Sequence, residues 1–334
     1  MADQPKPSLR QAFLRSPGPD TPRSAALLWL KGFCMGAADI IPGVSGGTIA
    51  FITGIYEQLV DAIRSLDVRF ARRLVSLDFS GALAGAHLRF LLCLLFGILT
   101  AVVSMARVMH YMLNSHPVEI WSLFFGLILA SIWVVGRAIR PMDLRAWAFI
   151  ALGTAGSYAL VGMIPVSTPE TLPFIFFCGA VAICAMILPG ISGAFLLLML
   201  GKYEYVTGTL KNPFALDNLL VLATFAAGAG IGIIVFSRFL HYLLHRWHAL
   251  TVSALTGFMI GALRKVWPWK EVLETSVIRG KVHVLREQNV LPGNVDGDFF
   301  LAVALALAGV AAVLLLDRLS RGNRLNPETG TAGP

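Results

Sequence analysis

The chain has 334 residues, 56% of them hydrophobic and 14% charged, with a mean hydropathy of +0.73 and a net charge of +8. This composition excludes a soluble globule and describes a polytopic membrane protein, whose surplus of Lys and Arg reports cytoplasmic loops and not nucleic-acid binding. The four cysteines, Cys34, Cys93, Cys178 and Cys184, all lie in apolar segments without CxxC spacing, so no disulfide framework, metal site or cofactor site is indicated.

Residues 1–24 are polar and Pro-rich, with no apolar run at their head, and read as a disordered cytoplasmic tail without a cleaved signal peptide. An apolar stretch from Lys31 to Ile63 follows. It is broken by Ile41-Pro42-Gly43-Val44-Ser45-Gly46-Gly47-Thr48. Proline removes a backbone donor and clashes with the preceding turn, and the glycines permit sharp, non-helical backbone. One helix is expected to stop near Asp39 and another to start near Ser45. Each apolar half has about 15 residues, roughly 22 Å of helix, which is short for a bilayer core of about 30 Å. The stretch therefore predicts a re-entrant helical hairpin over 25–63, its tip buried in protein or lining a wet cavity. A basic stretch from Arg64 to Arg89 leads into apolar spans at about 90–113, 117–136 and 145–163.

The pattern then returns. Pro42, Gly43, Ser45 and Gly46 correspond to Pro189, Gly190, Ser192 and Gly193, and Gly54, Tyr56 and Glu57 to Gly201, Tyr203 and Glu204. Further on, Arg107-x-x-His110-Tyr111 corresponds to Arg238-x-x-His241-Tyr242, and Gly126 to Gly257. A second hairpin at 171–210 precedes spans at about 217–244, 249–266 and 298–317, and 319–334 reads as another disordered cytoplasmic tail. The expected fold is an all-α polytopic membrane protein of two repeats, 25–163 and 171–318, each a re-entrant helical hairpin plus three transmembrane helices. Three spans is an odd number, so the second repeat enters from the opposite face and the repeats are inverted. Lys and Arg then collect on the side of both termini and of the 64–89 loop, which predicts N-in and C-in. The loop 267–297, with a short-strand candidate at Val282-His283-Val284-Leu285, receives no role.

A half-helix starting at Ser45 would present unpaired N–H groups of Gly46, Gly47 and Thr48 near mid-membrane. Helix N-termini of this kind bind phosphate or carboxylate, and Ser192 and Gly193 would offer the same from the other side. The alternative is that these small residues only allow close helix packing. Arg107 and Arg238 lie inside apolar runs, where a charge is expensive and usually functional, unless the side chain snorkels to the interface. They are the candidates to pair with an anion near each tip. Asp39 is the acid nearest a tip, fit either to carry a coupling proton or ion or to pair with an arginine. Glu57 and Glu204 sit near the membrane edge, as gates or interfacial caps.

Two enzymatic patterns are also present. Both tips fit GxSG, the serine motif of rhomboid intramembrane proteases, with His110 and His241 as the embedded candidate bases. A doubled nucleophile in inverted repeats has no obvious use in proteolysis. His241, His245 and His248 share a helix face, but no carboxylate or cysteine joins them in sequence to make a metal set.

The same residues carry a family resemblance. KGFCMGAADIIPGVSGGTIAFITGIYEQLVDAI, with the second ILPGISGAFLLLMLGKYEYV, resembles the bacterial undecaprenyl-phosphate (polyprenyl-phosphate) translocase family over most of residues 25–320. The resemblance implies a flippase of the inner membrane that returns undecaprenyl phosphate from the outer to the cytoplasmic leaflet, where cell-envelope precursors are built on it. The paired PGVSGGT and PGISG motifs are its specific part. Ala194 and Phe195 replace Gly47 and Thr48 in the second copy, which makes that tip the poorer anion site. A transporter or channel for a small soluble anion is the alternative function, and an intramembrane serine hydrolase a more distant one.

Overall fold

Six helices are long and apolar enough to cross a bilayer, and the other elements are arranged around them. The computed structural model describes residues 8–40, 44–137, 139–163, 168–209, 212, 214–278 and 281–324. Pro42 and Gly43 of the first motif, the head of the first expected tail and the end of the second lie outside the described residues.

Helix α1 (Leu9–Arg15) is capped reciprocally by Ser8 and Gln11, and α2 (Pro22–Asp39) by Thr21 and Ser24 with Pro22 in its first turn. Residues 9–15 and 22–24 are therefore helical, and the link between them is attached, which differs from the expectation of a disordered tail. Ser16 Oγ donates to the Ala86 carbonyl at 2.6 Å, and Arg89 reaches the Leu14 carbonyl at 2.8 Å and Asp20 at 3.1 Å. Local capping and one distant arginine order a segment whose polarity suggested none.

Beyond the first break come α3 (Gly46–Ile52) and α4 (Tyr56–Arg64), and beyond the second, after α10 (Leu172–Ile187), come α11 (Gly193–Met199) and α12 (Tyr203–Thr209). Each of these helix pairs is split where a glycine turns left-handed, Gly54 at φ 70° and Gly201 at φ 63°. The equivalence of these two glycines is visible in sequence, but their effect on the arm is not. The basic stretch forms α5 (Val68–Val75) and α6 (Phe79–Gly85), N-capped by Asp67 and Asp78. Helix α5 exposes Val68 and Val75 beside Arg69, Arg72 and Arg73, a mixture of apolar and basic surface that suits a membrane interface.

The six spans are α7 (Leu88–Ser115), α8 (Pro117–Gly136), α9 (Leu144–Val161), α13 (Leu216–Arg246), α14 (His248–Val266) and α15 (Gly297–Arg324). The last helix continues to Arg324 through part of the second expected tail. Between α14 and α15, strands β1 (Lys270–Ile278) and β2 (Lys281–Asn289) pair antiparallel and take in the Val282–Leu285 segment.

Packing follows the repeat. Helix α2 lies along α7 as α10 lies along α13, α8 pairs with α15 as α14 pairs with α9, and α8 touches α14 at the centre. At these seams Gly97, Gly228, Gly126 and Gly257 sit against the carbonyls of Trp29, Phe176, Ala306 and Ile150, where a Cβ would collide. The core gathers where α3 meets the central pair, through Val44, Ile49, Ile128, Leu255 and Met259.

Candidate functional site

The two breaks meet. Thr48 Oγ1 accepts the Gly190 N–H at 2.8 Å, and Ser45 Oγ lies 3.1 Å from the Leu188 carbonyl and 3.3 Å from that of Met186. Ser45, Gly46, Gly47, Thr48, Ser192 and Gly193 are all buried. The extended backbone of Ser45 makes it the N-cap of α3, where its Oγ also accepts the Gly47 N–H at 3.1 Å. Ser192 caps α11 by position but makes no side-chain cap bond.

At the first break the donors that the sequence leaves unpaired are taken. Gly46 N–H donates to Asp39 Oδ1 at 2.7 Å, Gly47 N–H to Ser45 Oγ, and Thr48 N–H to the Ser45 carbonyl at 3.0 Å. Helix α3 thus holds a carboxylate of its own chain, brought there because α2 ends at Asp39 beside the start of α3. A Cβ on Gly47 would lie 2.6 Å from the Ile187 carbonyl, so that position demands glycine, while one on Gly46 would lie 2.5 Å from Asp39 Oδ2 and push the carboxylate off the Gly46 amide.

The arginines stand elsewhere. Arg107 is exposed on α7 and Arg238 on α13, and neither is hydrogen-bonded to a described tip residue. Arg238 faces α4 and α5. There α4 and α13 are joined by Asp61 Oδ1 to His241 Nδ1 at 2.6 Å and Arg64 Nη1 to His241 Nε2 at 2.7 Å, while Glu57 reaches His248 at 3.0 Å at the start of α14. Contrary to expectation, His248 therefore does not share a helix face with His241 and His245. Sequence reasoning missed these carboxylate partners of the histidines, which are far away in the chain. Among the described residues no His, Cys, Asp and Glu cluster forms a metal-ligand set. Glu57 binds His248, while its counterpart Glu204 is half-buried on α12. Helix α12 does not pack along α7 as α4 packs along α13, so at this point the two halves differ.

Two cavities flank α13. One, of about 910 Å³, lies between α13 and the α4–α6 segment and is lined by Arg64, Arg69, Arg73 and Arg238, with Asp61, Asp67 and His87. The Phe70 amide, with the charges of Arg69 and Arg238 behind it, holds the Asp67 carboxyl below its usual range. The other, of about 440 Å³, is an apolar groove on the opposite side of α13, lined by Phe236, Leu240, Leu243 and Phe258 and reaching Leu188 at the second break.

A family model described as undecaprenyl phosphate translocase-like matches residues 35–282, a range that takes in both breaks, α4, α5 and α13. The chain belongs to this family. A curated relative named polyprenyl-phosphate transporter, from Vibrio cholerae, is 41% identical over 297 residues, covering 87% of this chain and 95% of its own. A relative of the same name from Staphylococcus aureus is 30% identical over 254 residues, covering 72% of this chain and 85% of its own. No solved structure matches the chain. Membership of this family and the six apolar helices make the chain a multi-pass membrane protein.

Proposed function

We propose that the protein is a flippase for polyprenyl phosphate, undecaprenyl phosphate above all, which carries the headgroup from the outer to the cytoplasmic leaflet of the bacterial inner membrane and so recycles the carrier for cell-envelope synthesis. The observation that carries this reading is the tip-to-tip contact of Thr48 with Gly190, two interrupted arms meeting inside the protein, in a family whose curated relatives are named for polyprenyl phosphate.

In this reading each half is a re-entrant helical hairpin with three transmembrane helices. The halves are inverted, with both termini on the cytoplasmic side. The exchange of halves that maps the α2–α7 seam onto α10–α13, and α8–α15 onto α14–α9, supports the inversion. Inverted halves allow two equivalent states, each opening the tips to one face. As the tips part, Asp39 releases the Gly46 amide. Ser45, Gly46, Gly47 and Thr48, with Ser192 and Gly193, then accompany the phosphate, and Arg107 and Arg238 attract it from either side. Glu57 and Glu204 act as gates on the two arms, and the prenyl tail stays in lipid.

The test is leaflet-specific detection of undecaprenyl phosphate in cells depleted of the protein. Depletion should raise the outer-leaflet pool. Wild type should restore it, and Ser45→Ala or Arg107→Ala/Arg238→Ala at equal protein level should not. An unchanged pool in a strain without redundant carriers would refute the proposal.

A further inference from the structure

The basic cavity beside α13 has a chemistry that the tips do not use. Four arginines from α4, α5 and α13 line it against two aspartates. Both aspartates are engaged: Asp61 with His241, and Asp67 with the Phe70 amide at 2.9 Å as the N-cap of α5. The bond from Asp61 fixes the hydrogen on His241 Nδ1, because Nε2 accepts from Arg64, and so holds the Arg64 guanidinium in place. Arg73 is anchored on the Gly81 carbonyl at 2.6 Å. Arg69 and Arg238 donate no side-chain hydrogen bond among the described residues and act on Asp67 through their charge alone, so two guanidinium groups on the cavity wall remain to receive an anion.

The depth of the cavity identifies the anion. Helix α13 has 31 residues, roughly 46 Å at 1.5 Å per residue, against a hydrocarbon core of about 30 Å. It exceeds the core by roughly 16 Å, and Arg238 and His241 lie about 12 and 8 Å from its C-terminal end, so the guanidinium of Arg238 reaches the headgroup layer by extending along the helix toward that end. Helix α5 brings Arg69 to the same cavity while exposing Val68 and Val75, as an interfacial helix does. Guanidinium forks match phosphate oxygens bidentately, and phosphate is the commonest anion of that layer.

We propose that this cavity is a binding site for a lipid phosphate monoester headgroup at the basic face of the membrane, with Arg69 and Arg238 as its two direct ligands and Asp61, His241 and Arg64 as the group that shapes it. The proposal rests on the transport reading above and names where the headgroup sits on the cytoplasmic side.

The experiment uses the full chain in phosphatidylcholine nanodiscs. Polyprenyl phosphate, the neutral polyprenol, phosphatidylglycerol and inorganic phosphate are each titrated and bound ligand is read by native mass spectrometry. The same preparations are assayed for polyprenyl-phosphate flux in proteoliposomes. Arg69→Gln/Arg238→Gln should weaken polyprenyl-phosphate binding about a hundredfold, about tenfold for each lost charged hydrogen bond. Arg69→Lys/Arg238→Lys should lose less, polyprenol should not bind, and inorganic phosphate should compete. Matching melting curves guard against misfolding. Wild-type binding by Arg69→Gln/Arg238→Gln, or phosphatidylglycerol bound as tightly as the monoester, would overturn the site while leaving the transport reading intact if flux persists. Inorganic phosphate bound in an arginine-dependent way, with neither polyprenyl-phosphate binding nor flux in wild type, would keep an anion site and overturn both the lipid ligand and the transport reading.

Discussion

Thr48→Val keeps the volume of a buried side chain and removes one oxygen, the acceptor of the Gly190 N–H across the tip contact. A buried N–H left without a partner costs about 1–3 kcal/mol, while hydrogen bonds between membrane helices average about 0.6 and reach about 1.7 kcal/mol. Both groups are enclosed by protein and not lipid, so the expected loss lies in the overlap, about 1–2 kcal/mol. That is a factor of about five to thirty in the opening equilibrium. Hydrogen exchange followed by mass spectrometry on a peptide containing Gly190 reads this directly: the amide should exchange faster by that factor. Thr48→Ser is the control. It loses a methyl group, worth about 0.8 kcal/mol, but keeps the oxygen, so it should melt lower and still protect the amide. If Gly190 exchanges as slowly in Thr48→Val as in wild type, the tip contact does not hold the two arms together and the argument built on it fails.

Gly126→Val and Gly257→Val should each cost more than the usual 1–3 kcal/mol of an overpacked core, because backbone carbonyls and not flexible side chains face them; Gly156→Ala, with nothing within 4 Å, should be neutral in the same thermal melts. Burial, together with the charge of Lys265, lowers Lys270 to about 8 from an ordinary value of 10.5. The folded chain therefore binds fewer protons than the unfolded one between those values, and stability should rise with pH across that window, by roughly 3 kcal/mol at most. Lys270→Met should flatten the rise in melting temperature measured from pH 8 to pH 10. Asp61→Ala should change global stability by less than about 1 kcal/mol, as partly exposed ion pairs do, yet speed hydrogen exchange in α4; unchanged exchange there would show that the Asp61–His241 bond does not hold α4 on α13.

The spans were legible in sequence because each is a long apolar run, a signal that survives any tertiary arrangement. The breaks at Ser45 and Ser192 were legible because proline and glycine act locally. What was hidden depends on who meets whom. Nothing local says that Asp39 will take the Gly46 amide, that Asp61 and Glu57 will find histidines on α13 and at the start of α14, or that Arg238 will face α5 and not the tip. The split between α3 and α4, and between α11 and α12, was half visible: Gly54 and Gly201 stood out as equivalents, but a lone glycine in an apolar run does not announce a left-handed turn. Helix α1 was missed because its attachment runs through Arg89, far along the chain.

The seams also set an order of manufacture. Helix α8 leaves the ribosome long before α15, yet its Gly126 edge is shaped for the Ala306 carbonyl and its following Arg137 is paired with Asp317. Helix α9 waits in the same way for α14. A nascent chain halted between the halves therefore holds helices whose small-residue grooves are filled only by lipid. Neither half is a finished domain, and a membrane protease that samples unpaired helices meets this protein as an incomplete product until its last span has been inserted.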